Sequence, residues 1–185
     1  MAGDMQMVVG GHDATEHDML AALFGKNPYD PQTPDEARSL VVWSGLFRVG
    51  YADPETYWRR VGVKHGADST SFEPPFPPHW CGAFHLWCLH EAGLCDWPWV
   101  IDSGNDTWGY CWRLQLTNKP QPGDAAYFTK NQHHAIWVGD GRIVNGNGKG
   151  GEVTVTWVHN DHEPDAYYSI EQLVARFNDP GGMAA

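Results

Sequence analysis

The chain has 185 residues, 42% hydrophobic and 19% charged, with a formal net charge of -11. That size and balance predict a single globular domain with a sufficient core, and exclude an intrinsically disordered chain. The negative charge argues against nucleic acid and anionic membrane surfaces as partners, since both call for clustered Lys and Arg.

Residues 1–32 read as an N-terminal extension, with a short helix from Thr15 to Phe24 and a loop over Lys26-Asn27-Pro28-Tyr29-Asp30-Pro31. No basic residue precedes Lys26 and no apolar stretch follows, so neither a signal peptide nor a membrane span is expected. Thr33 as N-cap, Pro34 at the first helical position and Asp35-Glu36 in the first turn open a helix carrying Leu40, Trp43 and Phe47. Asp53-Pro54-Glu55 repeats the signal for a short helix that stops at Gly62. Residues 64–79 read as a Gly-, Ser- and Pro-rich loop ending in Pro74-Pro75-Phe76-Pro77-Pro78, a stiff extended approach.

From Cys81 the pattern turns helical. Cys81, Phe84, Cys88 and Ala92 share one face, and Gly93 suits a left-handed cap. Cys81 thus falls in the first turn, where free N–H groups and the helix dipole favour negative charge and would lower a thiol's pKa. The four cysteines, 81, 88, 95 and 111, lack paired zinc spacing. Cys81 and Cys88 would lie about 10.5 Å apart along the helix, beyond the roughly 7 Å that a disulfide spans, so reduced thiols are expected. Residues 94–118 read as irregular and aromatic. With ten Trp in the chain, some are expected to line a groove, and Trp80, Trp108 and Trp112 are the candidates.

Pro120-Gln121-Pro122-Gly123 forms a turn. Strands are expected over Asp124 to Thr129, His133 to Gly139, Arg142 to Asn147 and Glu152 to Val158, with a hairpin at Asp140-Gly141. Ser169 and Gln172 form a capping box for a helix over 169–178. Helices first and antiparallel strands later indicate an α+β fold. A thiolate nucleophile needs a base from another element, and that base needs an orienting group. His133 and His134 open a strand downstream. Alternation groups His133 with Ala135 and Trp137, and His134 with Ile136 and Val138. The small Ala135 suggests that the first face meets the helix, which favours His133. A metal site using His159-Asn160-Asp161-His162 matches no strong zinc pattern, so neither metal nor other cofactor is expected.

Three segments together carry a resemblance: Trp80 to Gly93, then Pro122-Gly123-Asp124-Ala125-Ala126-Tyr127-Phe128, then His133 to Arg142. They resemble the CHAP and NlpC-type cysteine peptidases and amidases over roughly residues 78–158, the expected catalytic core of a single domain spanning 1–185. The resemblance implies a papain-like or NlpC-type fold, with the nucleophile helix packed on a small antiparallel sheet. It places the nucleophile at Cys81, the base at His133 and the third group at Asn145. Asn147 is the alternative third group, or a substrate contact with Trp80 and Trp108. Gly82 stands where the family usually has Ala, an exchange expected to be harmless. The implied activity is amide hydrolysis in peptidoglycan, as an amidase or endopeptidase. Without a signal peptide, that suggests a phage lysin or a delivered effector. A wall- or partner-binding module on the same fold is the alternative.

Overall fold

In the computed structural model, which describes residues 31, 33–65, 69–70, 79–97, 99–101, 113–158 and 163–178, the helix signals act where the sequence places them. Thr33 Oγ1 accepts from the Glu36 N–H at 3.2 Å and starts helix α1 (Pro34–Phe47). Asp53 Oδ1 accepts from the Thr56 N–H at 3.3 Å and starts α2 (Pro54–Val61), which ends on Gly62 at φ 63°. Helix α3 (Cys81–Glu91) closes in a Schellman motif. Leu94 N–H bonds Leu89 O, Gly93 N–H bonds His90 O, and Gly93 takes φ 63°.

All the strands of the main sheet run antiparallel, in the order β4-β9-β5-β6-β7-β8: β4 (Gln115–Thr117), β5 (Ala125–Phe128), β6 (His133–Gly139), β7 (Arg142–Asn145), β8 (Thr154–Trp157) and β9 (Ala166–Ser169). Asp140 (φ 52°) and Gly141 (φ 71°) make the expected tight hairpin between β6 and β7. A second sheet joins β1 (Val63–His65), β2 (Ser69–Thr70) and β3 (Trp99–Ile101) in the order β2-β1-β3. The fold is α+β, as expected.

Several local expectations change. Strands β1 and β2 interrupt the loop expected over 64–79, and β3 and β4 occupy part of the region read as irregular. These strands are two or three residues long, too short for a period-2 signal. Strand β9 was not anticipated. The final helix is α4 (Glu171–Val174) followed by a 3₁₀ turn (Ala175–Asn178), and no capping box forms. Ser169 Oγ instead accepts from the Glu171 N–H, while the Gln172 side chain donates to Arg113 O. The helix expected over Thr15 to Phe24 lies outside the described residues.

Helix α3 is buried along its whole length, where the sequence showed one apolar face. Its polar side chains find partners: His85 Nε2 donates to Gly123 O at 3.1 Å, His90 Nε2 to Trp97 O at 2.9 Å, and Glu91 accepts from Arg60 Nε at 3.1 Å. The larger core cluster gathers α1 (Ala37, Val41), α2 (Tyr57, Trp58), α3 and the inner sheet residues Ala125, Ile136 and Val144. A smaller cluster on the other sheet face holds Ala126, Phe128, Ala135 and Ile143. The helices therefore pack on the face of β6 that carries His134 and Ile136, opposite to the expectation from Ala135. A Cβ added at Gly45 of α1 would lie 3.0 Å from Ile136 Cδ1, and one at Gly82 of α3 would lie 3.3 Å from His134 Cδ2.

Asp124 is fully buried. Its Oδ1 accepts from Arg38 Nη1 at 2.8 Å and from the Ile170 N–H at 3.0 Å, and its Oδ2 accepts from the Gln121 N–H at 2.8 Å. Removing the carboxylate leaves the Ile170 N–H without this acceptor and Arg38 with only the more exposed Glu171 as ion-pair partner, so Asp124→Ala should cost about 3–5 kcal/mol in denaturant unfolding. A loss under about 1 kcal/mol would place it with exposed pairs. Burial lowers the pKa of His85 from 6.5 to about 3, and that of His90 in the same direction. Unfolding then takes up protons as pH falls below 6.5, so stability should decline from that pH toward about 3. The slope between pH 6.5 and 5 precedes carboxylate titration and should lessen by roughly one proton in His85→Gln; an unchanged slope would contradict a neutral buried His85.

Candidate active site

Cys81 is the first residue of α3, and Trp80 before it provides no side-chain cap. The first N–H groups of the helix are thus free of a capping side chain. The backbone N–H groups of Cys81, Gly82 and His134 act on the Cys81 sulfur and favour its thiolate. Burial acts the other way and is the larger effect: the thiol is pushed above its ordinary value. This corrects the lowering expected from the helix N-terminus alone, because Cys81 is only 7% exposed and a thiolate there loses most of its water. The resting group is a thiol, and its use as a nucleophile requires a base.

Cys81, His133 and Asn145 line one open pocket of about 470 Å³. His133 begins β6 just after Gln132, which takes a left-handed φ of 50°. The β5–β6 register runs unbroken through Phe128 and His133, and the one irregularity in β6 falls between Trp137 and Gly139. His133 lies on the sheet face away from the helices, yet it shares the opening with Cys81. The sulfur sits against the strand backbone at the His134 N–H. The His134 side chain is buried, its ring 5.0 Å from Tyr127 and 6.2 Å from Trp99.

Asn145 is buried at the end of β7. Its Oδ1 accepts from His133 Nε2 at 2.9 Å, and its Nδ2 donates to Thr156 Oγ1 at 2.9 Å and toward Thr154 O at 3.5 Å. A backbone carbonyl only accepts, so these contacts fix the amide with its oxygen toward His133. Nε2 then carries the ring proton, which makes Nδ1 the basic nitrogen of the ring. Asn147 also lines the pocket, but from the turn after β7, at φ 55°, rather than from the strand.

Trp80 is not a groove wall. It is 3% exposed and belongs to the core cluster, with its ring 5.2 Å from Tyr57 and 6.2 Å from Phe84. Trp108 and Trp112 lie outside the described residues, as do His159 and His162. Gly82 makes room for Trp99: an added Cβ would lie 2.5 Å from Trp99 Cη2, so Ala here requires that ring to shift. Sequence reasoning missed Thr156, His79 and Lys149, which line the pocket. Alternation along the expected strand Glu152 to Val158 already set Thr154 and Thr156 on one face. Among the described residues no group of three or more His, Cys, Asp or Glu could hold a metal, and no helix is long and apolar enough to cross a membrane.

No protein-family model matches the chain, and no curated protein matches its sequence. Solved structures with a similar chain path include the P60 domain of an antigen from M. avium subspecies paratuberculosis. That domain is 15% identical, with a TM-score of 0.47 over 74% of this chain and 96% of the other. The peptidoglycan hydrolase RipB from Mycobacterium tuberculosis is 16% identical, with a TM-score of 0.48 over 82% and 77%. A mutant of the Resuscitation Promoting Factor Interacting protein RipA is 16% identical, with a TM-score of 0.45; the alignment covers 62% of that chain and 74% of this one.

The state of Cys81 is directly measurable. Its alkylation rate in the native protein should rise with pH to a midpoint above the value of about 8.5 for a free cysteine. A midpoint near neutrality would contradict the resting thiol and indicate a stable thiolate–imidazolium pair.

Proposed function

We propose that the protein is a cysteine hydrolase that cleaves an amide bond in peptidoglycan, with Cys81 as nucleophile, His133 as base and acid, and Asn145 as the orienting group. The observation that carries this reading is the His133–Asn145 hydrogen bond at 2.9 Å, opening on the pocket that Cys81 lines. Peptidoglycan as substrate follows from the motif resemblance of residues 78–158 to the CHAP and NlpC-type enzymes. Both amidase and endopeptidase cleavage fit this chemistry. The protein would act on the wall, as a phage lysin after holin-type release or as an effector after delivery by a secretion machine.

His133 Nδ1 takes the Cys81 proton as the sulfur attacks the carbonyl carbon, which removes the cost of ionising a buried thiol beforehand. Backbone N–H groups at the start of α3 stabilise the oxyanion as it forms. The protonated imidazole passes its proton to the leaving amine, giving a thioester on Cys81. His133 then takes a proton from water, which attacks the thioester and releases the acid and the free thiol. Asn145 is neutral, so it fixes the tautomer and ring orientation without supplying a counter-charge.

Wall hydrolysis by Cys81→Ala and His133→Ala should fall to background while their thermal unfolding stays near that of the parent. His134→Ala should retain activity and lose stability, because its ring packs on Tyr127 and Trp99. Thr156→Val, which removes the acceptor holding the Asn145 amide, should lower kcat by between about ten- and a hundredfold with little change in KM. Full activity in Cys81→Ala would overturn the cysteine mechanism. An inactive His134→Ala beside an active His133→Ala would reverse the assignment of the base.

A further inference from the structure

The chain carries 23 Asp and Glu against 12 Lys and Arg, yet among the described residues no carboxylate lines the pocket around Cys81. Its lining includes Lys149 and His79, together with the neutral amides of Asn131, Gln132 and Asn147. In so acidic a protein, a lining that holds Lys149 and His79 and, among the described residues, no acid is a local reversal of charge. Neither Lys149 nor His79 makes an ion pair within 4.0 Å among the described residues, and both are exposed. Lys149 belongs to the turn between β7 and β8, which is internally bonded: Gly148 N–H donates to Glu152 O at 2.8 Å, and Gly151 N–H to Gly148 O at 2.9 Å. A side chain at Gly148 would collide with Thr154, so the base of the turn rests closely on β8. The acid of this turn, Glu152, is not among the lining residues. The α3 N-terminus at Cys81 adds its positive dipole end to the same opening.

We infer that Lys149, with His79, forms an anion subsite beside the reacting sulfur, which selects substrates carrying a free carboxylate near the scissile amide over those carrying a carboxamide. The inference rests on the hydrolase reading for its substrate, and it narrows that substrate to acidic, unamidated peptide. Lys149 supplies a point charge reaching in from the turn, while the neutral amides offer donors and acceptors for the peptide backbone. A carboxamide of the same shape gains no Coulomb attraction and leaves the ammonium unpaired.

The test uses the full chain with Cys81→Ala, so that binding is read without turnover, and two short wall-stem peptides differing only in a free acid or its carboxamide. Calorimetric titration should find the acid bound about five- to tenfold tighter, with the difference shrinking at high salt. Lys149→Met should erase the difference and Lys149→Arg should keep most of it. Equal affinities, no measurable binding of the acid, or a preference that survives Lys149→Met would overturn the subsite. Turnover of the same peptides by the parent protein reports separately on hydrolysis. A protein that binds the acid preferentially and cleaves neither peptide would retain the subsite and lose the hydrolase reading.

Discussion

The buried Asp124 carboxylate is the constraint on which the site's geometry depends. It receives Arg38 from α1, the Gln121 N–H from its own turn and the Ile170 N–H from the segment before α4. Arg38 also donates to Pro122 O and Glu171, closing the knot from the helix side. Helix α3 grips the same turn through His85 and Gly123 O. The turn at 121–124 therefore connects α1, α3 and the C-terminal segment. It also launches β5, whose pairing with β6 fixes His133 opposite Phe128. A shift in this knot would move the helix that carries Cys81 and the strand that carries His133 relative to each other.

Two opposing effects meet at the Cys81 sulfur. The helix start and the His134 N–H favour a thiolate, while burial disfavours it more strongly. In the proposed mechanism the sulfur stays protonated until His133 withdraws the proton, which gives the orientation of that ring its importance. That orientation is secured at one remove, because Thr156 and Thr154 hold Asn145 so that its oxygen faces the imidazole. Tight packing limits the same region: Gly82 admits Trp99 against the helix start, and Gly146 admits Phe84, whose Cβ would lie 2.5 Å from an added Cβ.

Much of the frame was legible in the sequence because it rests on local rules. The caps at Thr33 and Asp53, the left-handed Gly93 and the Asp140-Gly141 hairpin each depend on a few neighbouring residues. The α+β class followed from element order. Long-range features were not legible. Nothing local marks β9 as the partner of both β4 and β5, or Asp124 as the acceptor for Arg38 86 positions away. The face of β6 that meets the helices was misread because small size at Ala135 was taken as the sign of close approach. The approach is instead made by Gly45 and Gly82 on the helices. Trp80 is a related case: its type fits groove and core equally, and only its packing with Tyr57 and Phe84 inside the core decides it. The pairing of Cys81, His133 and Asn145 in one pocket drew on the motif resemblance, since alternation alone pointed the strand the wrong way round.

The central claim, amide hydrolysis at Cys81, is tested most directly by digesting purified sacculi in heavy-oxygen water and identifying the new ends by mass spectrometry. The account predicts soluble fragments with a new amine end and a new carboxyl end, the carboxyl carrying one heavy oxygen, and none of these from folded Cys81→Ala. New reducing sugar ends, or the same fragments from Cys81→Ala, would contradict it.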